Sequence, residues 1–294
     1  MPANPVLPLR ARVSGFVALT KPRIIELLLV TTVPTMFVAR QGVPSVWLMV
    51  ATVLGGTLAA GGANAVNMVV DRDIDSLMER TRERPLVTGV MTPRAALVFA
   101  VTLEVAAFAW LLATVNLLSA VLAVSATFFY VFVYTLWLKR TSTQNIVIGG
   151  AAGAVPVLVG WSAVTNSLAW APVVLFLVMF FWTPPHFWAL AIKYRDDYAA
   201  AGVPMLPAVA SLEETASRII LYTVILVALS VVFAPVAGMG GLYLVSALVL
   251  GAVFGAFALA VRRDPGERTA MRLFTYSITY ITLLFGAITL DVVV

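Results

Sequence analysis

Cysteine is absent from the chain, and charge is scarce, at 11% of 294 residues. Without cysteine there are no disulfides, no thiolate metal sites and no cysteine nucleophile. So few charges, set against 61% hydrophobic residues and a mean hydropathy of +0.99, exclude an ordinary soluble globular domain. The first fifteen residues hold only two arginines, Arg10 and Arg12, and neither a cleavable signal pattern nor a long Arg/Ser-rich transit extension. That absence predicts a bacterial inner-membrane protein rather than an imported organellar one. The net charge of +5 does not imply a nucleic-acid partner, because basic residues in a membrane chain serve first as topology signals.

What the chain does have is a series of apolar runs of about 20 residues, the length a helix needs to span a bilayer. They cover Ile24–Val38, Val46–Val70 and, approximately, 95–114, 117–137, 145–164, 169–192, 217–236, 241–261 and 271–292. The expected fold is therefore all-α: one polytopic membrane bundle of nine transmembrane helices. A single domain, 1–294, begins with a short cytoplasmic segment, 1–18. Of the nineteen Lys and Arg residues, eighteen fall in the N-terminal segment or in connections after even-numbered spans, with Arg40 the exception. The positive-inside rule then puts the N-terminus and those connections in the cytoplasm and the C-terminus in the periplasm.

Two of the cytoplasmic loops hold more than topology signals. The loop from Asp71 to Arg94 contains five acids and five bases, and at its start Asn67, Asp71 and Asp75 recur at steps of four. If the second span stays helical to its end, these three share one face. Oxygen-bearing side chains in such a row suit a hard divalent cation such as Mg²⁺, which bridges to phosphate. Arg80 and Arg84 follow and could take phosphate oxygens; Arg82 reads better as an anchor at the membrane surface. The plain alternative for the whole row is a solvated helix end. The second loop carries Lys193, Asp196 and Asp197, which could face the first across a cavity or serve only for solubility and snorkelling.

His186 is the only histidine, in Trp182-Thr-Pro-Pro-His-Phe-Trp188, inside a span broken by two prolines. A lone intramembrane histidine is a functional candidate by default: an axial ligand to a metalloporphyrin, an acid/base, or a hydrogen-bonding group of the bundle. Glu26 and Glu104 also lie within apolar spans, Glu104 deeper.

Several strings together resemble the UbiA-type intramembrane prenyltransferase superfamily. They are LTKPRI (19–24), the N-x3-D-x3-D row (67–75), M-x-R-T-x-x-R-P (78–85), LKRTSTQNIVIGGAAGAVPVLVGW (138–161) and PPHFWALAIKYRDDYAAAGVPMLP (184–207). The acidic row is a superfamily signal; the PHFWALA and DYxxAGxPMLP strings are similar to the haem-modifying branch. The resemblance implies a nine-helix bundle around a central cavity capped by cytoplasmic loops, with Asn67, Asp71 and Asp75 holding Mg²⁺ and farnesyl diphosphate. It implies transfer of the farnesyl group to a vinyl carbon of haem b, with addition of water. His186 is then the expected iron ligand, and Lys21, Arg23, Lys139 and Arg140 the expected contacts of the haem propionates. Glu104 is a candidate for the hydration step, and a haem A synthase a candidate partner. Many members of the superfamily carry a second D-x3-D; here the matching positions are Lys193 and Asp197, with Asp196 beside them, which leaves one Mg²⁺ or two open. The remaining alternatives are a prenyltransferase for another aromatic acceptor and, in a different class, a secondary transporter.

Overall fold

The computed structural model describes the backbone of residues 9–294 and the side chains of residues 10–22 and 30–294. Its described residues are helical with short connections: α1 (Leu9–Thr20), α2 (Pro22–Arg40), α3 (Val46–Val70), α4 (Arg72–Leu77), α5 (Pro93–Thr114) and α6 (Leu117–Phe128). α6 runs on without a break as a π-helix (Phe129–Leu138) and a last turn, α7 (Lys139–Thr141). Then follow α8 (Asn145–Thr165), α9 (Trp170–Lys193), α10 (Arg195–Ala200), α11 (Leu206–Val209), α12 (Leu212–Ala237), α13 (Gly241–Arg263) and α14 (Glu267–Val293).

Eight helices among the described residues are long and apolar enough to cross a membrane: α3, α5, the α6–α7 unit, α8, α9, α12, α13 and α14. The expected first span, 24–38, falls inside α2, where the side chains of residues 23–29, including Arg23 and Glu26, lie outside the described residues. Starts and stops follow local chemistry. Pro22 and Pro93 sit in first turns, where a missing N–H costs little. Thr92, Asn116 and Ser211 each accept a backbone N–H at the N-terminus of the helix that follows.

Each long helix packs on the next, and α14 returns to α2, so that α2, α3, α5, α6, α8, α9, α12, α13 and α14 form a closed ring. Direct packing of α2 on α8 and of α9 on α14 ties opposite parts of the ring together. Between apolar helices in lipid there is little hydrophobic drive, so close approach through small residues matters. A β-carbon added to Gly55 of α3 would lie 2.4 Å from Leu111 Cδ2 of α5, which is why that contact tolerates only glycine. The apolar side chains left outside, such as Val98, Val101 and Val105 on α5 and Val245 and Val249 on α13, suit lipid contact. At the far end of α14, Asp291 accepts from the backbone N–H groups of Gly240 (2.5 Å) and Tyr243 (2.9 Å). It thereby caps the N-terminus of α13 rather than reaching out to solvent.

Candidate functional site

The row begins where α3 ends. Asp71 leaves ideal helix geometry (φ −85°, ψ 5°) and separates α3 from α4, yet two backbone hydrogen bonds keep the register of the row: Asp71 N–H donates to Asn67 O at 2.9 Å and Asp75 N–H to Asp71 O at 2.8 Å. The three side chains therefore do share a face, as the spacing predicts. All three are buried, at 3%, 0% and 2% exposure for Asn67, Asp71 and Asp75. Carboxylates at a solvated helix end would not be buried, so the plain alternative fails here. Buried carboxylates require counter-charge and hydrogen bonds.

Those come from three places. Lys21, at the break between α1 and α2, donates to Asn67 Oδ1 at 2.8 Å. Arg84 folds back from the loop and donates to Asp75 Oδ2 at 2.6 Å, while Thr81 Oγ1 donates to the Asp75 carbonyl at 3.0 Å. Lys139 donates to Asp71 Oδ2 in a short contact. Arg140 grips both oxygens of Asp73 at 2.8 Å and the Val70 carbonyl at 3.0 Å, with Asp71 Oδ1 3.8 Å away. Lys21, Lys139 and Arg140 were expected at haem propionates; the structure places them on the acidic row.

The π-helix explains why Lys139 reaches Asp71. Widened turns rotate the residues that follow relative to an α-helical register, and such segments recur at functional sites. Thr135 Oγ1 donates to Tyr130 O, five residues back, at 2.8 Å and accepts from Asn67 Nδ2 at 3.2 Å. Tyr130 and Tyr134 stack on the same segment, centroids 5.3 Å apart. A β-carbon on Gly149 would lie 2.3 Å from Tyr134 Cδ2, so glycine there lets α8 approach the ring.

The row's electrostatics leave it short of negative charge. Four cations (Lys21, Arg84, Lys139, Arg140) meet three carboxylates (Asp71, Asp73, Asp75). Burial, then the charges of Arg84 and Lys139, bring the Lys21 ammonium down to about 7. Hydrogen bonding from Arg140 holds the Asp73 carboxyl down to about 2. Asp71 Oδ1 is buried without a hydrogen-bond partner. An orphaned carboxylate oxygen beside a second carboxylate and an amide oxygen is a hard, all-oxygen donor set and fits Mg²⁺. The surplus cations fit the anion that such a metal would carry.

The second loop is built differently. It packs on the first through Ile74 and Met78 against Tyr198, Val203 and Met205. Its charges point elsewhere. Lys193 pairs with Glu267 of α14 at 2.9 Å, and Glu267 raises the pKa of this exposed ammonium. Asp196 is 99% exposed, 3.5 Å from Arg195, and Asp197 is half-buried. Arg80 lies 5.6 Å over the Tyr194 ring instead of turning to the row. Among the described residues, no three His, Asp or Glu side chains come together in a metal-holding group.

His186 is buried in α9, stacked on Trp182 (4.3 Å) and Phe274 (4.5 Å), with Nδ1 2.6 Å from Ser277 Oγ of α14. Glu104 is partly buried in α5; Thr127 donates to its Oε1 at 3.1 Å, and Oε2 has no partner. Thr135 and Ser277 escape the sequence reading. The N-terminal half of α6 gives no signal of the π-helix to come, and Ser277 is one hydroxyl among many on an apolar helix.

Fold and site together define a helical membrane bundle with a buried Asn/Asp/Asp row ringed by lysines and arginines at the end of a long apolar helix. The chain belongs to the UbiA prenyltransferase family, whose model matches residues 28–284. It is 55% identical over 290 residues to the protoheme IX farnesyltransferase of Streptomyces avermitilis, covering 97% of this chain and 95% of that one. It is 57% identical over 280 residues to the protein of the same name from Parafrankia sp., covering 94% and 90%. Among solved structures, that of a digeranylgeranylglyceryl phosphate synthase superposes with a TM-score of 0.79 at 16% identity, over 96% of this chain and 99% of that one. A UbiA homolog from Archaeoglobus fulgidus bound to GPP and Mg²⁺ gives 0.62 at 16% identity, over 94% and 99%. At such identities the structures establish a shared fold.

Proposed function

We propose that the chain transfers a farnesyl group from farnesyl diphosphate to a vinyl carbon of haem b, water completing the side chain to give haem O. One observation carries this most: identity above one half, over nearly the full length, to proteins named protoheme IX farnesyltransferase. The bundle is read as nine crossings, with α2 the first, in a bacterial inner membrane. The charge bias of the sequence supports a cytoplasmic N-terminus, a periplasmic C-terminus and a site facing the cytoplasm.

In this reading Asn67, Asp71 and Asp75 hold Mg²⁺ with the diphosphate, and Lys21, Arg84, Lys139 and Arg140 line the anion. Bound there, Mg²⁺ offsets the charge that develops on the departing diphosphate. The allylic C–O bond breaks with its electron pair on the diphosphate; a C–C bond forms to the vinyl group; hydroxide from water adds to the other vinyl carbon, and its proton is released. The row gathers the chain's cations at one place, so that positive charge already stands beside the site where negative charge develops. The apolar bundle beneath keeps water from the allylic carbon until the vinyl group attacks. Tyr130 and Tyr134, stacked beside the row, offer π faces to a cationic carbon.

His186 is read as the axial ligand of the haem iron. Lys193, Asp196 and Asp197 are read as contributors to the diphosphate site on the strength of resemblance, Arg80 likewise; their exposure supports a smaller share than that of the row. Two metal ions would require Asp196 or Asp197 to reach the diphosphate.

The test is turnover by purified protein in lipid with haem b, farnesyl diphosphate and Mg²⁺, read by mass spectrometry. The expected product is haem heavier by one farnesyl and one hydroxyl, formed only with the metal. A prenylated acceptor other than haem, with haem untouched, would overturn the reading.

A further inference from the structure

We propose that Ser277 fixes the tautomer of His186, so that Nε2 keeps its lone pair free for the haem iron. The proposal rests on the reading of His186 as the iron's ligand and adds to it the group that prepares that ligand. Ser277 Oγ lies 2.6 Å from the Phe274 carbonyl oxygen. The same Oγ lies 2.6 Å from His186 Nδ1. A carbonyl only accepts, so both close contacts of this Oγ, to the carbonyl and to the imidazole, are hydrogen bonds only when its one hydroxyl hydrogen goes to the carbonyl. Having no second hydrogen, it can only accept in that contact, and Nδ1 must carry the N–H. A neutral imidazole has one N–H, which leaves Nε2 as the nitrogen with an available lone pair.

Orientation is fixed along with the tautomer. Trp182 Nε1 donates to the Ser277 carbonyl at 2.8 Å, so α9 holds this residue of α14 at two points one helical turn apart. Stacking on Trp182 and Phe274, with Phe187 edge-on at 5.0 Å, restrains the plane of the ring. A metal-binding histidine that donates its other N–H to a fixed acceptor is the arrangement that orients such ligands, and losing the acceptor weakens metal affinity by about 10- to 100-fold. Ser277 is a positioning residue: it acts on iron only through His186.

Because the chain has a single histidine, ¹⁵N-histidine labelling of the full chain, purified through a histidine-free tag, gives one imidazole to read. In lipid nanodiscs without haem, NMR is expected to show a protonated Nδ1 and a bare Nε2. Ser277→Ala should lose that preference and Ser277→Thr, which keeps the hydroxyl, should retain it. A protonated Nε2 in the parent chain, or an unchanged tautomer in Ser277→Ala, would overturn the assignment. Haem b titration is the second arm. Ser277→Ala should bind haem about tenfold or more weakly with an altered Soret band, and Ser277→Thr should match the parent. A tautomer that responds to Ser277 while His186→Ala leaves the Soret band unchanged would remove the iron-ligand reading alone. Unchanged haem binding in Ser277→Ala, with His186→Ala impaired, would overturn the role of Ser277.

Discussion

Two charged loops lie together at one end of the bundle, and only one of them buries its carboxylates. Asn67, Asp71 and Asp75 form a buried row in which Asp71 meets Lys139, from a distant helix end, and Asp75 meets Arg84, folded back from the loop. The segment from Lys193 to Asp197 has similar composition, yet its lysine leans on Glu267 and Asp196 faces solvent. Composition and spacing are alike; burial and partners are not. Burying a carboxylate is costly unless its neighbours compensate, so a fold that buries two of them beside an amide has arranged their surroundings for a purpose. Exposed ion pairs make no such statement, since each is worth about 0–1 kcal/mol.

That contrast can be broken most severely at the row itself. Asp71→Ala or Asp75→Ala should lower farnesyl transfer by about 10²- to 10³-fold or more, the scale of losing a group that stabilises developing charge. Next come the cations: Lys139→Met and Arg84→Met should each cost about 10- to 100-fold in turnover. They should also destabilise the fold, because removing one partner strands a buried charge. Lys193→Ala, Asp196→Ala and Asp197→Ala should each cost less than about tenfold, within the range of a single weak electrostatic contact. A loss at Asp197 equal to that at Asp71 would erase the distinction between the loops and favour a second metal ion.

The smallest effect is expected from Asp73, exposed and held by Arg140. Its folded pKa lies below the unfolded value, at about 2 against 3.8. The stabilisation is thus present above the unfolded pKa and lost as pH falls through the folded one. Screened by solvent, it amounts to less than about 1 kcal/mol. Asp73→Asn should therefore shift thermal unfolding slightly at neutral pH, by less as pH falls towards 2, and not at all well below it.

How much of this could be read from the residues alone differs from part to part. The apolar runs and the i, i+4, i+8 row follow from helical arithmetic, and the structure agrees because hydrogen bonds from Asp71 to Asn67 and from Asp75 to Asp71 keep the register across the end of α3. The propionate contacts expected for Lys139 and Arg140 came from family resemblance alone; the π-helical stretch turns these residues onto Asp71 and Asp73. No local pattern in Phe129–Leu138 announces that turn, since it is settled by packing on α3 and α8. Lys21 is in the same position: its link to Asn67 crosses 46 residues. Ser277 shows the limit most clearly, being a common helix residue whose meaning lies wholly in His186, 91 residues away.

The central claim is that Asn67, Asp71 and Asp75 take the donor's diphosphate together with Mg²⁺. Calorimetric titration of a non-reactive farnesyl diphosphate analogue into the purified chain, with and without Mg²⁺, tests it directly against Asp71→Asn and Asp75→Asn, which keep shape and remove charge. The account predicts tight binding that requires Mg²⁺ in the parent chain and no gain from Mg²⁺ in either variant. Equal Mg²⁺-dependent binding in all three proteins would contradict it.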